Sequence, residues 1–189
     1  LNRWYKVFIS SPEKGYFSTL FLESTHEQVF AEASKQLSEI RFENIDYEKR
    51  EEKLDLILDK LKTIDNGLAI ELLDKNENNK DKELIISPNG YKNKFETVIK
   101  IVNNAPHIEG WKIIAFKQRA KSNFKLRYED LVLDPSEMYF YPIRKSDTLD
   151  LIIYGNNFNK HDKKIISYYG LIMIDHLIGE YDCVMKVRY

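Results

Sequence analysis

At 189 residues the chain is long enough for one well-filled core, and its 43% hydrophobic and 13% aromatic content excludes the polar, charge-heavy make-up of a disordered segment. Its 29 basic and 30 acidic residues nearly cancel, so no large field of one sign faces a polyanion or an anionic bilayer, and neither nucleic acid nor a membrane is an expected partner. The single cysteine, Cys183, has no companion for a disulfide or a metal site, which fits a reducing, cytoplasmic setting.

From the start, two aromatic and β-branched runs at residues 4–10 and 16–22 flank the turn-rich Ser11-Pro12-Glu13-Lys14-Gly15, and together predict a hairpin. Ser24 with Glu27, and Thr25 with Gln28, have capping-box spacing. Val29, Phe30, Ala33, Leu37 and Ile40 follow at helical intervals, so a helix is expected over residues 26–41. A second helix is marked by Leu54, Ile57, Leu58, Leu61 and Ile64 on one face, with Asp46 as its N-cap and Gly67 closing the helical region.

Two short apolar runs, 68–73 and 83–87, flank the polar KNENNKDK at 75–82 and read as a hairpin with an exposed tip. Pro88-Asn89-Gly90 then turns the chain into a helix carrying Phe95, Val98, Ile99 and Val102 on one face and stopping before Pro106. Residues 111–116 are apolar on both alternating faces, the pattern of a central strand covered on each side. Further strands are expected at 125–128, 131–133, 138–143 and 149–154.

The most apolar run, 165–178, contains Asp175 and His176 and falls short of a bilayer span, so a buried helix is expected from about residue 162, ending at Gly179. Alternation of Cys183, Met185, Val187 and Tyr189 against Val184, Lys186 and Arg188 predicts a last strand. The order of elements points to an α+β fold with an antiparallel or mixed sheet and helices packed against it. Residues 1–66 are expected as the N-terminal hairpin and helical region, either packed on an α+β sheet domain of residues 67–189 or standing as a separate unit.

Three blocks, KELIISPNGYKNKFETVIKIVNNAPHIEGWKIIAFKQR at 82–119, LDPSEMYFYP at 133–142 and IDHLIGEYD at 174–182, resemble a bacterial family of hypothetical proteins without assigned function. The resemblance lies mainly over residues 67–189 and implies architecture and a bacterial origin. It carries over no catalytic or binding residue, and Ala105-Pro106, Gly110-Trp111 and Gly179-Glu180 read adequately as a helix stop, a strand entry and a helix C-cap.

Signatures of chemistry are missing. No glycine-rich phosphate cradle is present, His26-Glu27 is followed by Phe30 where a zinc protease needs histidine, and His107, His161 and His176 stand apart. No nucleophile elbow occurs, and acidic pairs such as Asp130 with Asp134, or Glu180 with Asp182, are what thirty carboxylates produce anyway. Hence no catalytic residue, metal site or cofactor is assigned. Asp175 and His176 point about 100° apart on one helix, which forbids a single dyad and leaves a hydrogen-bonded core histidine as the simpler role.

What stands out is a set of tyrosines at strand alternation, Tyr139 and Tyr141, with Tyr128 and Tyr154 on neighbouring strands and Arg119 and Arg127 within reach of their border. Tyrosine and arginine combine broad apolar contact with a polar tip, the chemistry of binding hot spots. Either this is an adhesive face of a protein-binding, immunity-like or regulatory module, or helices cover it and the hydroxyls reach only its rim. The competing expectation is a hydrolase whose site folding assembles from His176, Glu180 and Arg119.

Overall fold

The computed structural model describes residues 19–40, 47–73, 82–120, 124–156 and 158–188. Among them lie five α-helices and eight strands in three sheets, an α+β fold as expected. Two compact units divide the chain, Leu1–Phe116 and Lys117–Tyr189. No described helix is long and apolar enough to cross a membrane.

The first unit opens with helix α1 (Thr19–Glu39) and helix α2 (Tyr47–Ile64). Val29, Phe30, Ala33 and Leu37 of α1 and Ile57, Leu58 and Leu61 of α2 are buried, so the apolar stripes read from the sequence are the packed faces. Lys53 and Glu39 form an ion pair between the two helices. The start of α1 corrects the sequence reading: the helix already runs through residues 19–22, where a strand was expected, and the capping-box pairs at Ser24 and Thr25 lie inside it. Leu22, Glu23, Glu27 and Gln28 are good helix formers, so one more turn costs little once the helix exists. Residues 4–10 and Asp46 fall outside the described residues.

Strand β1 (Ala69–Leu73) pairs antiparallel with β2 (Lys82–Ser87), the expected pairing, while the expected exposed tip falls on residues 74–81, outside the described residues. The chain then turns at Asn89 and Gly90, both with positive φ (52° and 78°), enters helix α3 (Phe95–Asn103), and returns as β3 (Trp111–Ala115), parallel to β2. This is a βαβ crossover, the usual route between parallel neighbours. Trp111 donates its indole N–H to the Leu37 carbonyl at 3.1 Å, tying β3 to the end of α1. The strand order β1-β2-β3 makes β2 central and β3 marginal, against the expectation that residues 111–116 form the centre. Leu84, Ile85 and Ile86 are almost wholly buried, while Ile113, Ile114 and Ala115 are half-buried. An apolar run shows that a strand is sheltered, not how many strands flank it.

In the second unit β4 (Leu126–Tyr128) and β5 (Leu131–Leu133) form a small hairpin. Strands β6 (Met138–Lys145) and β7 (Thr148–Gly155) form a longer one. Helix α4 (Lys163–Ile178) is capped by Asp162, whose carboxylate accepts from the Lys164 amide at 2.7 Å, and it ends at Gly179, where φ is 88°. The last stretch departs from the sequence reading: helix α5 (Glu180–Lys186) stands where a strand was expected, and only Val187–Arg188 extends, as β8, parallel to β7. Cys183 and Val187 are four apart, so they satisfy a helical and an alternating pattern equally, and burial of both against Ile174, Leu171 and Leu177 favours the helical turn.

Candidate functional site

The β6–β7 hairpin closes through a two-residue loop, Ser146-Asp147, with Ser146 at a φ of 51°. A loop this short fixes the register. Tyr139 therefore stands opposite Tyr154, Tyr141 opposite Ile152 and Ile143 opposite Asp150. Strand alternation sends these six to one side and Met138, Phe140, Leu151 and Ile153 to the other. The second set packs with Met173 and Ile174 of α4 and Cys183 of α5. The first set is left open: Tyr139, Tyr154 and Tyr141 are 74%, 71% and 67% exposed and Ile152 is 51% exposed.

One charged pair borders this face. Arg188 of β8 lies beside Asp150 and holds both of its carboxylate oxygens at 2.8 Å. The bidentate geometry raises the arginine above its usual range and leaves the two charges mutually neutralised. The outer edge of β6 is closed in a different way. Pro142 pairs with Leu151 yet has no N–H, so its nitrogen must face away from β7, which puts the backbone groups of Met138, Phe140, Pro142 and Arg144 on the outer edge. An incoming strand would meet no donor at the middle of that edge.

No protein-family model, no curated protein and no solved structure matches the chain. Roles must therefore be argued from where side chains lie. Tyr139, Tyr141 and Tyr154 are brought together on one face, and Ile152 joins them. Tyr128 is not on it: its ring stacks on Tyr169 of α4 at 4.6 Å, and Tyr169 packs into the core on the helix side. Arg127 pairs with Val132 on the exposed side of β4–β5, and Arg119 lies in the segment running past the α4–α5 joint, its amide 3.3 Å from where a Cβ on Gly179 would sit. Neither arginine stands on β6–β7.

The groups of the hydrolase expectation meet at that joint, but they are engaged by the backbone. His176 is buried, and its Nδ1 donates to the Ile172 carbonyl at 2.8 Å. Glu180, also buried, accepts from the Lys117 amide at 3.1 Å and donates its own N–H to the Lys117 carbonyl at 2.9 Å. Ala120 adds a bond to the His176 carbonyl at 2.6 Å. These contacts fasten residues 117–120 to the joint and account for both polar groups in a dry setting. Arg119 is exposed.

Elsewhere the titratable groups also have structural work. Burial, then the charges of Asp175 and Glu180, push the Cys183 thiol up to about 12, far from the thiolate that nucleophilic chemistry needs. Asp134 caps the short 3-10 turn Pro135–Glu137 and is held down to about 2 by hydrogen bonds from Lys125 and Ser136. Asp130 lies 3.8 Å from His161 rather than beside Asp134. Among the described residues no three His, Cys, Asp or Glu side chains gather closely enough to hold a metal ion.

Two parts of the face were missed in sequence reasoning. Ile152 follows from the same alternation that places Tyr154, so its signal was present. The Asp150–Arg188 pair was hidden, because it depends on β8 joining β7 across 38 residues of chain.

Proposed function

We propose that this chain is a non-catalytic module that binds another protein, of an immunity-like or regulatory kind, through the Tyr139, Tyr141, Ile152 and Tyr154 face of β6–β7. The observation that carries the proposal is the exposure of three tyrosines, each above 65%, on a sheet whose opposite side packs through Met138, Phe140, Leu151 and Ile153. A half-covered antiparallel sheet normally turns polar residues outward. Here four neighbouring outward positions, Tyr139, Tyr141, Ile152 and Tyr154, are aromatic or branched aliphatic, with polar Asp150 and Thr148 only toward the turn, and leaving them in water costs solubility and gives the fold nothing in return. Tyrosines in this setting offer large, rigid contact area with few rotors and a hydroxyl for hydrogen bonding, the profile of binding hot spots.

The test is affinity capture from lysate of the source organism, followed by purification of the recovered protein and titration against the purified chain. Tyr139→Ala with Tyr141→Ala is expected to keep the wild-type melting temperature and weaken the purified complex by at least about tenfold, as loss of hot-spot tyrosines does. Unchanged affinity in that variant would refute the face as the binding surface.

A further inference from the structure

We propose that a second copy of this chain covers the tyrosine face, sheet against sheet across a two-fold axis. The inference rests on the reading of that face as a protein-binding surface and names its partner. The area is the first argument. With aromatic side chains offering about 150–250 Å² each, exposures of 74%, 71% and 67% leave roughly 400 Å² of tyrosine surface on each copy. Two copies supply about twice that, and Ile152, Ile143 and the Asp150–Arg188 rim carry the contact to the roughly 1,200 Å² at which specific interfaces begin.

Charge is the second argument. A two-fold contact sets residue i against residue j and j against i, so an uncompensated charge meets its own sign only close to the axis. Asp150 and Arg188 already neutralise each other in a bidentate pair, and the other charged position that the register puts on this side, Lys145 opposite Thr148, stands at the turn end of the hairpin, away from the Tyr141–Ile152 pair. Tyrosine hydroxyls both donate and accept, so a tyrosine can bond its own image. With the axis near Ile152, the centre of the face therefore sets no like charges against each other.

The edge supplies the third. Pro142 removes a donor from the outer side of β6, which disfavours continuation of the sheet from copy to copy and leaves face-to-face packing, with the sheets about 10 Å apart, as the closed arrangement.

Sedimentation velocity on the full chain, from low-micromolar to high-micromolar concentration, tests this. The wild type should pass from monomer to dimer over that range. Ile152→Arg and Ile152→Glu, in the middle of the face, should each weaken the dimer by at least about tenfold through like-charge contact while retaining the wild-type circular dichroism and, at a concentration where the wild type is monomeric, its melting temperature. An equimolar mixture of the two should recover dimer, an outcome misfolding cannot imitate. Should either Ile152 variant fold poorly, Tyr141→Ser with Tyr154→Ser replaces it, and Tyr168→Ala on α4, exposed but off the face, should leave the dimer intact. A wild type that stays monomeric at the highest concentration, or a dimer untouched by every variant on the face, overturns self-pairing. If that monomer still loses its purified partner on Tyr139→Ala with Tyr141→Ala, self-pairing alone has failed and the broader reading stands.

Discussion

Two three-stranded sheets are covered in opposite ways. In β1-β2-β3 the central strand is buried along its length, from Glu83 to Ser87, and both of its faces contribute to folding. In β6-β7-β8 one face packs on α4 and α5 while the other leaves Tyr139, Tyr141, Ile152 and Tyr154 in water. The first pattern is explained by stability. The second is not, because apolar side chains that remain hydrated release no water when the chain folds. What they could gain comes only from meeting another surface.

The strongest way to break that contrast is to shorten one side chain in each sheet. Ile86→Ala removes a wholly buried group of β2 and is expected to cost about 2–5 kcal/mol, read from the urea midpoint. Tyr139→Ala, at a concentration where the chain is monomeric, should stay within about 0.5 kcal/mol, as surface changes do. Comparable losses would show that Tyr139 belongs to the core and not to an adhesive face.

A smaller effect sharpens the helix-covered side of the second unit. Glu180→Ala strips the Lys117 amide of its side-chain acceptor in a buried setting, with an expected loss of about 1–3 kcal/mol. Glu180→Gln, which keeps a side-chain oxygen, should recover part of it. If both variants are as stable as the wild type, residues 117–120 are held by their backbone bonds alone.

The smallest effect is visible only in acid. Hydrogen bonds from Lys125 and Ser136 hold the Asp134 carboxyl at about 2 against an ordinary 3.8. A lowered carboxylate stabilises the fold fully above its unfolded value, and that contribution disappears as pH falls from about 3.8 toward 2. Asp134→Asn should therefore lie below the wild type in urea midpoint at neutral pH, and the two curves should converge across that acid window. Parallel curves would mean that the Lys125 contact contributes nothing in solution.

Much of the fold was legible because local patterns agree with tertiary ones. The β1–β2 pairing, the span of α3, and α4 from its Asp162 cap to Gly179 stand where periodicity and breakers put them, although the buried face of α3 is Phe95, Val98 and Ile101 and leaves the expected Ile99 exposed. Errors came where two patterns coincide or where position depends on a distant segment. Cys183 and Val187 suit a helix and a strand alike. The hydrophobicity of β3 is the same at a margin as at a centre.

The site was half legible for the same reason. Alternation alone puts Tyr139 with Tyr141, and a two-residue loop adds Tyr154. Tyr128 was grouped with them because its strand is nearby in sequence, yet its ring is taken up by Tyr169, a contact between segments some forty residues apart that no local pattern encodes.

By itself, then, the amino-acid order determined which segments could become helices or strands and which side chains would share a face, since backbone geometry repeats every few residues. Which of those faces would be covered was decided by tertiary packing: α4 and α5 can lie on only one side of β6–β7, and the choice of side depends on contacts between distant parts of the chain. The three tyrosines became a surface because the helices settled on the other face.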